Sequence, residues 1–419
     1  MTALIGSRSN RKLAVTGKTL LIVGSIPGGD NVGQIMLREM LECVDSDRYV
    51  VAALLEQGID VPEDARDASA MQVFRRPHEH ANRRFHGRLG GLHLAIERAR
   101  TYEPAIATLA DQVAAFAIAN GVGRVWATLN MTAVIDVCEK LNKRLRLPLI
   151  AHVWDDVGYL TQQRGLDAFT RRRTAGRFAR LLASAERTAV IGEAMGDNYA
   201  RRFGARCQIV RHGVSDATEP RSEPTNATEF VIGFCGAMYC PSAWKAFQAA
   251  LTKLGWKLAG KSVRFVVMSD HISLSSQSPV NFDYLGRLRT EAEVHAQLSK
   301  CDLLYLPQPF EPWQRGLAEL SFPTKLSAYV STGRPVMIHA PDHASLVTFA
   351  RENPVGLVCT SLDPEVIAQT IATFAGDGVA YREAAVAAAA VANSVLSRRS
   401  FVAQVQSFLG EGSIEAMPS

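Results

Sequence analysis

The 419-residue sequence has no run of 18 apolar residues free of charge, so no membrane-spanning helix is expected. It has little excess of either sign: 46 Lys and Arg against 41 Asp and Glu leave a net +5. That balance argues against a basic coat for nucleic acid, though not against a local patch. The seven cysteines (43, 138, 207, 235, 240, 301, 359) include no Cys-x-x-Cys pair. Neither a zinc site nor any other metal site is expected, and the thiols read as reduced, mostly buried residues of a cytoplasmic protein. Gly-x-Gly-x-x-Gly does not occur, so the dinucleotide fingerprint is absent. The opening MTALIGSRSNRKLAVTGK carries basic residues with no long apolar core after them. It makes a poor signal peptide, and residues 1–17 read as a tail.

What is present is an alternation of strand and helix patterns. Short apolar runs stand at 18–24, 49–55, 124–129, 148–154, 188–192 and 208–214. A helical stripe over 132–145 places Val134, Ile135, Val137, Cys138 and Leu141 on one face. Strands alternating with helices imply βαβ units and parallel sheets. Residues 215–229 (SDATEPRSEPTNATE) are polar and contain two prolines, which marks a linker. The pattern then restarts with strands at 230–236, 263–269, 281–286, 302–307 and 334–340. An Ala-rich helical stretch from 364 to 409, broken near Gly376 and Gly378, closes it. The expected fold class is α/β with two Rossmann-like domains, 18–214 and 230–395, followed by a C-terminal helix and tail, 396–419. Ligands of open α/β sheets bind at the carboxyl ends of the strands, so the two sheets are expected to face a central cleft.

Each expected domain opens on a strand, a glycine turn and a helix. Gly28, Gly29 and Asp30 lie in the first turn and Gly236 in the second. Both fit close backbone approach to a phosphate, and both also fit a plain tight turn. At the end of the 148–154 run stand His152, Asp155 and Asp156. This is where such sheets place acid–base groups, and also where an Asp caps the next helix. Glu193 has the same two readings.

The most specific segment is FPTKLSAYVSTGRPVMIHAP, 322–341. Pro323 suits a first helical turn, Lys325 falls within that turn, and Gly333 with Pro335 stops the helix. The segment resembles the C-terminal domain of GT-B fold glycosyltransferases, above all the retaining, family-4-like group of bacterial polysaccharide pathways. Phe322, Pro323, Thr324, Lys325, Leu326, Tyr329, Gly333, Pro335 and Val336 carry the match, with DYLG at 283–286 and RHGV at 211–214. Two glutamates of the family pattern are replaced, by Ala328 and Leu320, with Glu319 and Glu311 nearby as substitutes.

The resemblance implies a nucleotide-sugar co-substrate (UDP-, GDP- or another), no tightly bound cofactor, and transfer with retention. Donor binding is expected at Gly236, Lys245, Phe322, Pro323, Thr324, Lys325 and Tyr329, and chemistry at Asp155, His152 and Asp156. A glycan or lipid-linked acceptor is expected near Gly28, Gly29, Asp30 and the 71–100 segment. That segment holds seven arginines against two glutamates among Phe74, Phe85, Leu89, Leu92 and Leu94. Its Arg75, Arg76, Arg83, Arg84 and Arg88 read as a patch for an anionic membrane face or acceptor, or as a solvated loop. Arg171–Arg173, Arg177 and Arg180 have the same ambiguity. A peripheral position at the inner face of the membrane follows from the first reading. An epimerase on the same fold and a non-catalytic binding subunit are the alternatives.

Overall fold

Runs of Val, Ile, Leu and Ala without polar alternation form strands covered on both faces, and parallel pairing demands such cover. The computed structural model describes residues 17–27, 32–59, 61, 71–79, 89–214, 218–269, 279–288 and 290–410. Its first sheet contains β1 (Lys18–Val23), β2 (Tyr49–Glu56), β3 (Met71–Arg76), β4 (Val122–Thr128), β5 (Leu149–Val153), β6 (Arg187–Val190) and β7 (Cys207–Ile209). They lie in the order β3-β2-β1-β4-β5-β6-β7, all parallel. The second contains β8 (Glu229–Cys235), β9 (Lys257–Leu258), β10 (Lys261–Met268), β11 (Phe282–Tyr284), β12 (Leu303–Pro307), β13 (Val336–His339) and β14 (Gly356–Cys359). Its order is β11-β10-β8-β12-β13-β14, with β9 antiparallel on β10.

The fold class is thus two parallel-sheet, Rossmann-like halves, as the alternation predicts. The helix over Thr132–Leu145 buries the expected stripe. Three strands escape the sequence reading, among them the two-residue β9. β3 is hidden by its arginines, and β14 is only four residues long. The 208–214 run is a strand only over Cys207–Ile209; beyond it the chain leaves the sheet.

That exit is one of two crossings between the halves, and the other returns at 394–398. The crossings lie side by side: the Val214 N–H donates to the Leu396 carbonyl at 2.7 Å, and the Arg398 N–H to the Val214 carbonyl at 2.7 Å. The helix Arg398–Leu409 then packs back on the first sheet, burying Phe401, Val405 and Phe408 against Trp126 and Ile150. Arg124 clamps its end by donating to the Leu409 carbonyl at 2.8 Å.

Gly213 makes the crossing possible, because a Cβ there would lie 2.2 Å from the Ser397 carbonyl oxygen. Gly213→Ala should force the two crossings apart and cost about 1–3 kcal/mol. An unchanged melting temperature would show that they separate freely.

Candidate active site

Parallel strands send all their carboxyl ends to one edge, and here the two edges meet across a cavity of about 440 Å³. The first half lines it with Ser25, Asn130, Met131, Trp154, Asp155, Tyr159, Arg164, Ile191, Arg211 and His212; the second contributes Tyr239, Leu317, Ser321, Phe322, Pro323, Thr324 and Ser327. The ends of β1, β4, β5, β6 and β8 therefore converge on one space.

On the second half, β8 ends at Gly236, whose φ of +80° suits glycine. The Lys325 ammonium comes from the facing helix, Thr324–Val330, and donates to the Ala237 carbonyl at 2.6 Å. It sits 4.5 Å from the Phe234 ring centre and 5.4 Å from that of Tyr239. Burial among these rings lowers the amine to about 8. A Cβ on Gly236 would stand 3.0 Å from Lys325 Cε, so the missing side chain leaves room for the lysine.

Tyr329 plays a different part from the expected one. It is fully buried, and its hydroxyl accepts the Cys235 N–H at 3.0 Å, tying the end of β8 to the helix. Phe322 is buried edge-on against Phe349. Lys245 is exposed on the helix Pro241–Lys253 and does not line the cavity.

Of the two substitute glutamates, Glu319 pairs with Arg315 at 2.6 Å, whereas Glu311 accepts the Ser242 N–H at 3.1 Å. Glu311 Oε2, Gln308 Oε1, Gln314 Oε1 and Ser242 Oγ are buried without partners. Buried oxygens without donors are costly unless a ligand satisfies them. Trp313 stands exposed in the same turn. Leu320 is buried in the core of the first half, and Ala328 packs partly buried against the core of the second.

On the first half the three expected residues separate. Asp155 lines the cavity, and its carboxyl is raised above the usual range by burial, against the pull of Arg164 and reinforced by Asp156. Asp156 caps the helix Val157–Gln163, accepting the Gly158 N–H at 2.8 Å and the Tyr199 hydroxyl at 3.1 Å. His152 does not reach the cavity. Strand alternation puts it with Ile150 on the face covered by the C-terminal helix, where it packs against Phe408 and accepts from the Trp154 indole at 3.1 Å. Burial pushes it down to about 3, so it stays neutral at physiological pH.

Arg211 is a cavity residue that the sequence offered only as part of the RHGV turn. It is 4% exposed, donates to the Ile191 carbonyl at 3.0 Å, pairs with Glu193 at 2.5 Å and lies 4.1 Å over the Phe322 ring. It therefore joins the two halves across the cleft. Glu193, at the start of the helix Glu193–Phe203, is exposed and serves this arginine.

The basic segment is not one patch. Arg76 is buried in β3, pairs with Glu56 at 3.4 Å and Glu79 at 3.5 Å, and donates to the Leu54 carbonyl. Arg75 is exposed, with its guanidinium on the Glu56 and Ile59 carbonyls. Glu79, 1% exposed, also accepts the Ala133 N–H at 2.6 Å and pairs with Arg164 at 2.6 Å. Gly28, Gly29, Asp30, Arg83, Arg84 and Arg88 lie outside the described residues. The second basic helix turns partly inward: Arg177 pairs with Asp136 and Glu103, Arg173 with Glu103, and Arg180 with Glu139. Leu89, Leu92, Ile96 and Phe169 remain exposed, and the helices Gly90–Glu97 and Ala168–Ser184 that carry the last three pack together.

Among the described residues no helix is long and apolar enough to cross a membrane, and no group of His, Cys, Asp and Glu could hold a metal ion. All seven cysteines are free thiols.

No family model matches the sequence, and no curated protein sequence matches it. Solved structures do match in shape. Sucrose-phosphate synthase from Thermosynechococcus elongatus superposes with a TM-score of 0.66 at 12% identity, over 94% of this chain and 98% of that one. Anabaena HepE in complex with UDP and glucose gives 0.61 at 16% identity, over 94% and 99%. The α,α-trehalose 6-phosphate synthase of Burkholderia multivorans gives 0.61 at 12% identity, over 96% and 99%. Two parallel Rossmann-like sheets facing one cleft, shared along almost the whole length of these chains, make this the GT-B fold of glycosyltransferases.

Proposed function

We propose that the protein is a glycosyltransferase that moves a sugar from a nucleotide-sugar to a hydroxyl of a glycan or lipid-linked acceptor. The observation that carries this reading is the cleft itself. A desolvated lysine at a glycine turn follows the cavity-lining Pro323 and Thr324 in the chain, and the cavity's other wall carries an Asp whose proton affinity is raised.

The donor diphosphate would lie at Gly236 and Lys325, where an ammonium with few protein partners meets open backbone. Pro323 and Thr324 line the approach. The sugar would lie toward Glu311, Gln308 and Gln314, whose partnerless buried oxygens suit hydroxyl donors. The acceptor would bind against the first half, with Asp155 orienting its hydroxyl.

In the transfer, the acceptor oxygen bonds to the anomeric carbon and the bond to the diphosphate oxygen breaks. The hydroxyl proton goes to the departing phosphate, which fits retention. Lys325 stabilises the charge that builds on the leaving group. Contact between the halves through Arg211 and Phe322 excludes water that would otherwise hydrolyse the donor. Exposed Leu89, Leu92, Ile96 and Phe169 support peripheral contact with a membrane at the inner face of the cell.

Thermal shift against UDP-, GDP-, ADP- and dTDP-sugars tests the reading, because a ligand that binds only the folded chain raises its melting temperature. One nucleotide should shift it selectively, and UDP is the first to try. Asp155→Asn should keep that shift and lower transfer about 100-fold. No shift with any donor would sink the transferase reading in favour of a binding subunit.

A further inference from the structure

Charge lines the cavity unevenly. Among the described residues its two guanidiniums, Arg164 and Arg211, both come from the first half. Their side chains are only 13% and 4% exposed. Each is held by a carboxylate and a carbonyl: Arg164 through Nε by Glu79 at 2.6 Å and through Nη1 by Leu160 at 3.4 Å, Arg211 through Nη2 by Glu193 at 2.5 Å and through Nε by Ile191 at 3.0 Å. Arg164 Nη2 and Arg211 Nη1 are left without a partner among the described residues.

A guanidinium holds its donors in a rigid planar fork that matches the paired oxygens of phosphate or carboxylate. Glu79 and Glu193 offset part of the cost of desolvating these two groups, and the Nη groups left over around the shared space suit an anion. The same half supplies Asp155 and Asn130, whose buried Oδ1 has no donor. It thus offers two cationic edges for an anion and two acceptors for hydroxyls. The donor diphosphate has its own cation in Lys325 on the opposite half, so it does not account for these arginines.

Resting on the transferase reading, we infer that the acceptor is a hydroxyl compound bearing an anionic group, phosphate or carboxylate, held by Arg164 and Arg211 with its reacting hydroxyl at Asp155. Lipid-linked and soluble acceptors share this chemistry.

The test titrates the full chain with glucose, glucuronate and glucose 6-phosphate by calorimetry, and with vesicles containing a polyprenyl phosphate. Binding of the two soluble anions without glucose supports a soluble acceptor; binding of the vesicle phosphate alone supports the same site with a lipid source. In either case Arg164→Gln and Arg211→Lys should each weaken binding about tenfold, while Lys325→Ala should not. Arg211→Lys keeps the charge and loses only the fork, and circular dichroism confirms folding of each variant. The inference falls if no anion binds, if glucose binds equally well, or if Lys325→Ala alone abolishes binding. Donor binding measured separately on the wild type shows whether the transferase reading survives that failure.

Discussion

Lys325→Met should make the unliganded protein more stable at pH 7 and weaken its hold on the donor. The amine is held among Phe234, Tyr239 and the end of β8, and burial lowers it to about 8 from an ordinary 10.5. The folded chain therefore binds fewer protons than the unfolded chain between about 8 and 10.5. Stability rises with pH across that window, and the cost of the buried charge is fully present below it. Methionine fills similar space without that cost. The gain should be about 2–4 °C in melting temperature for each kcal/mol recovered. It should shrink as pH rises through the window and vanish above it.

Donor affinity should fall about 10–100-fold in the same variant, since a charge-assisted contact to phosphate is lost. In the wild type, donor affinity should weaken as pH rises past about 8 and the ammonium loses its proton. Melting curves with and without nucleotide-sugar, at pH 7 and pH 9, check all of this. A variant less stable than the wild type and unchanged in donor affinity would remove Lys325 from the site.

Glu79→Ala should cost about 3–5 kcal/mol, the usual penalty for stripping a partner from a buried ion pair. Two guanidiniums depend on this carboxylate, Arg76 in β3 and Arg164 at the cavity. It also accepts the Ala133 N–H in the first turn of the helix Thr132–Leu145, where a negative charge suits the helix dipole. Glu79→Gln keeps an acceptor for that N–H and should cost less. Urea unfolding of both variants gives the comparison; a loss below about 1 kcal/mol for the alanine would mean that water already solvates the arginines. Because Arg164 lines the cavity, Glu79 couples an edge strand to the cleft.

How much of this was legible beforehand depends on the range of the interaction. The helix Thr132–Leu145 and the stop at Gly333 and Pro335 are local patterns, and they appear as expected. So do the breaks of the Ala-rich stretch, which folds as helices Pro364–Gly376 and Gly378–Asn393. Gly236 reads as a turn before a helix and Lys325 as a residue of a first helical turn, and the fold brings them together. His152 misled because both faces of a central parallel strand are buried. A polar residue there gives no sign in the sequence of whether its side chain faces the cleft or the underside of the sheet. Arg76 misled for the opposite reason: a basic residue reads as surface until its partners, Glu56 and Glu79, are seen beside it.

The sequence by itself determined the alternation of strands and helices, the two sheets and the turn chemistry, since backbone preference and hydrophobic period act over a few residues. Only the tertiary structure decided which charges face the cleft. Arg164, Arg211 and Glu79 owe their positions to partners that meet when β3, the strand ends and the helices pack together. Only it decided, too, that the last helix returns to the first sheet, because Phe401, Val405 and Phe408 find their apolar cover there and not beside their neighbours in the chain.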